Sequence, residues 1–198
     1  MLENNCWYNL NVKSTASALN KNWSFPPTSG NYGIWSLDGQ IKNIFSNEWL
    51  EYMKSIGLEI EHVMLFYRNV GLGKFGAHVD ILPPGKPPLS YTTGALNFVL
   101  GGDDSEMVWY KTPSVQKEVS FTVAKTPYIE WPISELEEVD RVHIGSRLMV
   151  VRTNVPHTIK MGNAPRWCIS IRLFENHKLS WEETIDRLRS LNLIEERS

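Results

Sequence analysis

Hydrophobic and polar residues alternate over much of residues 60–175, which is the period of a β-strand. The alternating segments are short, rich in β-branched and aromatic residues, and separated by Gly, Pro, Asp or Ser. Seven strands are predicted, at residues 61–70, 74–81, 92–100, 106–111, 117–124, 147–153 and 166–174. The gaps between them are too short or too polar for crossover helices, so the pattern favours an antiparallel sandwich or barrel.

Helical periodicity flanks this β-rich region. Residues 46–57 (SNEWLEYMKSIG) start with a capping Ser46, carry an apolar face and stop at Gly57. Residues 180–193 (SWEETIDRLRSLNL) start with a capping box and carry an apolar stripe, so this helix is predicted to pack on the outside of the sheet. We therefore predict a mainly β protein with flanking helices.

We expect one domain over residues 1–198, because the length and the 42% hydrophobic content suffice for a sizeable core. Within it, residues 1–59 are predicted as an irregular and helical support, residues 60–175 as the β core and residues 176–198 as a C-terminal helix.

Charge and composition narrow the functional classes. A net charge of -2 and a pI near 6.2 disfavour nucleic acid as a partner. No apolar run approaches the roughly 20 residues that cross a bilayer, and the N-terminus has no signal-peptide pattern, so we expect no membrane partner and a cytoplasmic location. Cys6 and Cys168 are far apart and are predicted to be buried or idle thiols.

The segment AHVDILPP at residues 77–84 contains the first candidate functional residues. His78 and Asp80 are two residues apart, so on a strand both side chains point to the same face, about 6.6 Å apart along the chain. A second histidine, His157, is followed nine residues later by Arg166, which opens the last predicted strand. One face of that strand carries apolar side chains; the other carries Arg166, Cys168, Ser170 and Arg172.

These residues fit more than one site. A guanidinium inside a sheet needs an anion, and Asp80 can supply it. Two histidines and one carboxylate are also the set that binds Fe(II) and leaves other coordination positions open, and then Arg166 needs an acid from outside. The same three ligands can hold zinc with a water for hydrolysis, although that chemistry requires no neighbouring arginine.

The segments FYRNVGLGKFGAHVD, ALNFVL and VPHTIKMGNAPRWCISIRLF resemble the Fe(II)- and 2-oxoglutarate-dependent dioxygenases, most closely the prolyl-hydroxylase branch. The resemblance spans residues 60–175 and implies a double-stranded β-helix, the jelly roll also seen in cupin-like proteins. It implies Fe(II) as the metal, with 2-oxoglutarate and O2 as cosubstrates. The related halogenases have a small residue in place of the carboxylate ligand, so Asp80 favours hydroxylation.

The resemblance also implies roles for individual residues. His78, Asp80 and His157 would ligate iron. Four further residues are implied in the 2-oxoglutarate pocket: Arg166 as the anchor of the distal carboxylate, with Ser170, Asn97 and Tyr67 as additional contacts.

Hydroxylation of an amino-acid side chain, free or within a peptide, is the expected activity. RWCISIR also matches the R-x5-R signature of the AlkB nucleic-acid demethylases, which keeps nucleobase demethylation as an alternative, while Arg172 itself is expected to be a salt-bridged strand end. A jelly-roll module that binds metal and carboxylate without turnover is the alternative from another class. Residues 137–141 (EEVDR) are predicted as a solvated loop.

Overall fold

The computed structural model describes residues 5–12, 18–70, 76–82, 85, 88–115, 117–173 and 178–195. Its strands are β1 (Trp7–Leu10), β2 (Tyr32–Ser36), β3 (Ile60–Arg68), β4 (Ala77–Asp80), β5 (Gly94–Gly101), β6 (Glu106–Tyr110), β7 (Ser120–Phe121), β8 (Pro127–Trp131), β9 (Glu138–His143), β10 (Leu148–Arg152), β11 (His157–Lys160), β12 (Arg166–Leu173) and β13 (Ile194–Glu195). Its α-helices are α1 (Ile41–Ile44), α2 (Asn47–Ser55) and α3 (Trp181–Ser190).

The strands form two antiparallel sheets. The larger sheet has seven strands in the order β13-β1-β10-β5-β12-β3-β2, and the smaller has six in the order β7-β8-β4-β11-β6-β9. Strands distant in sequence are neighbours in both sheets, as in the pairing of β12 with β5 and β3. The mainly β prediction is confirmed in this form, two antiparallel sheets with few helices, which is consistent with a β-sandwich.

The predicted strands and the observed ones agree best in the larger sheet. Residues 61–70, 92–100, 147–153 and 166–174 match β3, β5, β10 and β12 to within two residues at each end, whereas only Ser120–Phe121 of residues 117–124 is a strand. Residues 137–141 are not a loop, because β9 begins at Glu138 and pairs with β6. β9 is an edge strand with Glu138 and Arg141 exposed, and a run of charged residues is common both in edge strands and in loops.

Residues 1–59 contribute more to the sheet than an irregular support would. β1 pairs with β10, and β2 pairs with β3 along the edge of the seven-stranded sheet. The C-terminal part likewise adds β13, which pairs with β1. These strands have only two to five residues, so their period-two pattern is too short to read from the sequence.

Both predicted helices are present with the expected ends. Ser46 caps α2 by accepting a hydrogen bond from the Trp49 backbone N–H, and Gly57 beyond the helix has φ +74°. Ser180 and Glu183 form the predicted capping box of α3.

The core has two layers, one on each face of the seven-stranded sheet. On the outer face, α2 and α3 bury Trp49 and Trp181 against residues such as Ile169 of β12. On the inner face, residues such as Cys168 and Trp109 pack between the two sheets. The two faces of β12 therefore differ: the outer face packs on the helices, and the inner face points into the space between the two sheets. Among the described residues, no helix is long and apolar enough to cross a membrane.

Candidate metal and carboxylate site

His78, Asp80 and His157 converge on one point between the sheets. One ligand atom from each lies within 4.8 Å of the others, and the ring centroids of the two histidines are 4.5 Å apart. The distance between His78 Nε2 and Asp80 Oδ1 is 3.7 Å. The structure thus brings together the three side chains that the sequence singled out, in a cluster that can hold a metal ion.

Strand pairing explains this convergence. On β4, Ala77 and Val79 are buried in the sheet while His78 and Asp80 point to the other face, as the spacing predicts. β11 lies beside β4 with His157 directly opposite His78. Side chains opposite each other on antiparallel strands have Cβ atoms about 5 Å apart, so the pairing alone places the two imidazoles together.

His157 is oriented for a role as a ligand. Its Nδ1 lies 2.9 Å from the carbonyl oxygen of Val155, which is a hydrogen-bond acceptor only. Nδ1 therefore carries the proton, and Nε2 keeps its lone pair. A backbone carbonyl bonded to the second ring nitrogen is a common way of fixing the orientation of a metal-binding histidine.

Asp80 has one carboxylate oxygen directed at the histidines and one at Arg172. Oδ2 accepts a hydrogen bond from Arg172 Nη2, while Oδ1 is the oxygen nearest His78. Arg172 also donates from Nη1 to Ser170 Oγ at 3.2 Å. The prediction of a salt bridge for Arg172 is confirmed, but its partner is the carboxylate of the cluster. Held in this way, Asp80 offers a metal one oxygen.

The pKa shifts of the three side chains give the cluster the protonation states that bind a cation at neutral pH. Burial, with the neighbouring His157, lowers the pKa of His78 to about 3, and burial lowers the pKa of His157 as well. Burial raises the pKa of Asp80, but Arg172 and the histidines outweigh it, so the net shift is downward. Two neutral imidazoles and an ionised carboxylate are the forms that bind metal.

Lowering the pH from 7 to 5 is expected to destabilise the metal-free protein by about 2 kcal/mol through His78 alone. Unfolded histidine takes up a proton near pH 6.5, whereas folded His78 does so only near pH 3. The unfolded state therefore binds more protons below about pH 6.5, and stability falls with pH throughout that window. Urea unfolding at pH 7, 6 and 5 measures the loss.

The His78→Gln variant should show a smaller decline on acidification than the wild type. His143→Gln serves as the control, because the His143 side chain is 73% exposed and lies outside the cluster. Equal pH dependence of the wild type and His78→Gln would contradict the assigned pKa.

Arg166 lines a small chamber next to the cluster. The chamber has a volume of about 60 Å³, and Arg166 is only 3% exposed. Its Nη1 has no hydrogen-bond partner within the described part of the chain. Burial lowers the pKa of Arg166, but a guanidinium stays charged at neutral pH. A buried cation with an unused donor is costly unless an anion from outside completes it.

Ser170 and Asn97 both line the chamber and are cross-strand neighbours. Ser170 accepts its hydrogen bond from Arg172. Asn97 Oδ1 is buried without a hydrogen-bond partner among the described residues. The chamber thus has a second unsatisfied polar group beside Arg166, as expected of a polar ligand's binding site.

Tyr67, which the resemblance implies in the 2-oxoglutarate pocket, does not line the chamber. It pairs with Trp167 on β12, and their rings lie 4.8 Å apart on the outer face of the sheet. Strand alternation instead places Phe66 and Arg68 of β3 on the chamber wall. Arg68 was missed, although its position two residues after Phe66 on a predicted strand indicates the same face.

The chemistry of the donor set fits a divalent transition metal. Two imidazoles and a carboxylate on adjacent strands make up one face of a coordination sphere, which suits Fe(II) and also suits zinc. The adjoining chamber, with an unsatisfied guanidinium, fits a small molecule with a carboxylate. Both features belong to the same cavity, so metal and acid would bind side by side.

Comparisons with known proteins leave the family open. No family model matches the chain, and no curated protein matches it. Among solved structures, it is similar to the X-ray structure of E. coli ycfD, with 12% identity and a TM-score of 0.34 over 73% of this chain. The match covers 33% of the length of the ycfD chain. A similarity at this TM-score supports no functional conclusion.

Proposed function

We propose that this protein is a non-haem, Fe(II)- and 2-oxoglutarate-dependent dioxygenase that hydroxylates an amino-acid side chain. The observation that carries the proposal is the unsatisfied Arg166 Nη1, buried in the chamber that adjoins His78, Asp80 and His157. A zinc hydrolase needs the three ligands but has no use for a buried carboxylate anchor beside them. The finer fold proposal is that the two sheets form a double-stranded β-helix.

Bound iron with 2-oxoglutarate and O2 supplies an oxidant that converts a substrate C–H bond to C–OH, with release of succinate and CO2. The residues of this chain hold and orient the reactants. His78, Asp80 and His157 would hold the metal on one side and leave the other side open. Arg166 would bind the distal carboxylate of 2-oxoglutarate with its unused donor, and the chamber walls would exclude water from this ion pair.

Arg172 positions Asp80 in this scheme. Its ion pair occupies Oδ2, so the carboxylate is fixed with Oδ1 toward the metal position. Asn97 lies beside Ser170 and would contact the bound acid through its amide group.

Addition of Fe(II) and 2-oxoglutarate without oxygen is expected to produce the visible absorption band of a metal-chelated keto acid. His157→Ala should abolish the band, because it removes a ligand atom, while His143→Ala should retain it. If the wild type gives no band and calorimetry detects no 2-oxoglutarate binding, the proposal is wrong. A non-catalytic binding module would give the band but release no succinate with any substrate.

Nucleobase demethylation is a second candidate because of one observation. Arg172, six residues after Arg166 as in the R-x5-R signature, reaches the candidate metal ligand Asp80. This candidate predicts an affinity for single-stranded DNA that falls as salt concentration rises. The net charge of -2 favours the amino-acid hydroxylase instead.

A further inference from the structure

The two sheets have four edge strands, and three of them are protected against pairing with another chain. β7 and β13 have only two residues each, and β9 carries the charged residues Glu138, Asp140 and Arg141. Short strands and charged side chains are common features that keep an exposed edge from acquiring a further strand. β2 is the exception, because it has five residues and contains neither a charged side chain nor a proline.

The register of β2 shows which of its backbone groups face the free edge. The Leu37 N–H, just beyond β2, donates to the carbonyl oxygen of Val63 on β3. Hydrogen-bonded and non-hydrogen-bonded positions alternate along an antiparallel pair, so the N–H and C=O groups of Ile34 and Ser36 point away from β3. No described residue bonds to these four groups. They have the arrangement that a further strand beside β2 requires.

The free edge of β2 borders a groove that opens at the candidate metal cluster. The groove has a volume of about 890 Å³ and lies between β2 and β3 on one side and β4 and the β7–β8 hairpin on the other. Ile34 and Ser36 line it, as do His78 and Asp80 of the cluster. A strand added to β2 would lie about 4.8 Å from it, with every second side chain directed to the groove side of the sheet.

Exposed apolar side chains are concentrated around this groove. Six large hydrophobic side chains are exposed among the described residues, and three of them, Tyr32, Phe121 and Val123, line the groove. Tyr32 belongs to β2, whereas Phe121 and Val123 belong to the β7–β8 hairpin on the opposite side and are 56% and 86% exposed. Clustered apolar side chains on a surface indicate an interaction site, and these flank the free edge of β2.

An extended polypeptide segment fits these features better than a second copy of this chain. A stable dimer buries at least about 1,200 Å² in total, and β2 offers little apolar area for that, since Tyr32 is its one exposed large hydrophobic residue. An extended segment needs only the backbone groups of the edge for pairing, and its side chains would pack on Phe121 and Val123 across the groove.

We propose that β2 binds an extended segment of a partner polypeptide by strand addition, with alternate side chains of the segment directed into the groove. The inference rests on the proposed function where it identifies this polypeptide as the substrate. It commits to a residue within a polypeptide, whereas the proposed function leaves open whether the amino acid is free. The paired segment anchors the partner beside the groove, and a neighbouring residue of the partner reaches the metal.

A scan of backbone N-methylation tests strand addition without turnover. Random heptapeptides displayed on phage are selected on the zinc-loaded protein, and the tightest binder is synthesised with blocked ends and measured by calorimetry. Each of its residues is then N-methylated in turn. Methylation should weaken binding at least tenfold at every second position, where the N–H faces β2, because it removes a hydrogen bond and places a methyl group against the edge. The positions between them should change affinity less than threefold.

Ser36→Pro tests the same edge from the protein side. It removes an outward N–H of β2 without removing a bond to β3, so it should weaken the selected peptide at least tenfold. Ser36→Ala is the matched control, because it also loses the hydroxyl that donates to Asp38 but keeps the backbone N–H, and its affinity should stay within threefold of the wild type. A wild-type circular dichroism spectrum and thermal transition establish that Ser36→Pro is folded; if it is not, the N-methyl scan decides alone.

Three results would overturn the inference: selection yields no binding peptide, the N-methyl scan has no period of two, or folded Ser36→Pro binds the peptide as tightly as the wild type. A wild-type dimer in sedimentation that Ser36→Pro dissociates would also overturn it, since the edge would then belong to a second copy. Failure of the proposed function is a separate result, in which the wild type binds no 2-oxoglutarate. Peptide binding with a period of two that requires the Ser36 N–H would then still support strand addition.

Discussion

Replacing Arg166 by methionine is expected to weaken 2-oxoglutarate binding by a factor of about 100 to 1,000 and to leave the stability of the unliganded protein unchanged or higher. The lost hydrogen bonds join two charged groups in a buried site, and each contributes roughly 1.5–3 kcal/mol. Without the acid, the same guanidinium is buried with an unused donor, so an apolar side chain of similar length removes a desolvation cost. Calorimetry gives the affinity and guanidinium chloride unfolding gives the stability.

The effect of Arg166→Met on stability distinguishes a binding arginine from a structural one. For a binding arginine, 2-oxoglutarate affinity falls while the free energy of unfolding stays the same or rises. If Arg166→Met lowers the free energy of unfolding by several kcal/mol, the guanidinium has a role within the fold, and the anchor assignment is wrong. Arg147→Met controls for the loss of an arginine at an exposed position.

Asp80→Ala is expected to abolish measurable metal binding and to lower the free energy of unfolding by about 2–3 kcal/mol. It removes the only charged ligand of the cluster and leaves Arg172, whose side chain is 13% exposed, without its carboxylate. Removal of one partner of a fully buried ion pair costs about 3–5 kcal/mol, and partial exposure of this pair reduces that value. Zinc binding by calorimetry and urea unfolding without metal provide the two readouts.

The double variant Asp80→Ala/Arg172→Met should recover most of the stability but none of the metal binding. It removes the unpaired charge of Arg172, but it does not restore the metal ligand that Asp80 supplied. Glu137→Ala is the matched control: it also breaks an ion pair, with Lys111, but both side chains are more than 60% exposed, so the change should stay within about 0.5 kcal/mol. Wild-type metal affinity in Asp80→Ala would exclude Asp80 as a ligand.

The spacing of residues in the sequence was enough to predict which side chains share one face of a strand. The i, i+2 spacing placed His78 and Asp80 on one face of β4, and the alternation along β12 separated Arg166 from Trp167. The spacing does not predict which strands pair with each other. That His157 lies opposite His78 depends on the position of β11 between β4 and β6, a contact between segments about 80 residues apart in the chain.

The position of Tyr67 shows why the register of a strand is hard to predict. Successive residues of a strand point to opposite faces, so a shift of one position replaces a chamber residue with an outer one. The resemblance implies Tyr67 in the 2-oxoglutarate pocket, whereas the face of β3 toward the chamber carries Phe66 and Arg68. β1, β2 and β13 were missed for a different reason: they are short, and pairing with long neighbours rather than their own pattern stabilises them.

The chamber shares Phe66, Arg68, His78, Asp80 and Arg172 with the adjoining groove of about 890 Å³, and under the proposed function this shared wall has a kinetic consequence. The side chains that separate groove from chamber are also those around the metal position, so an occupant of the groove would block entry to the chamber behind it. The small diacid would then have to arrive before the substrate, and its decarboxylated product would leave last. Steady-state rates would follow a compulsory-order scheme, with excess substrate acting as an inhibitor by trapping the empty enzyme.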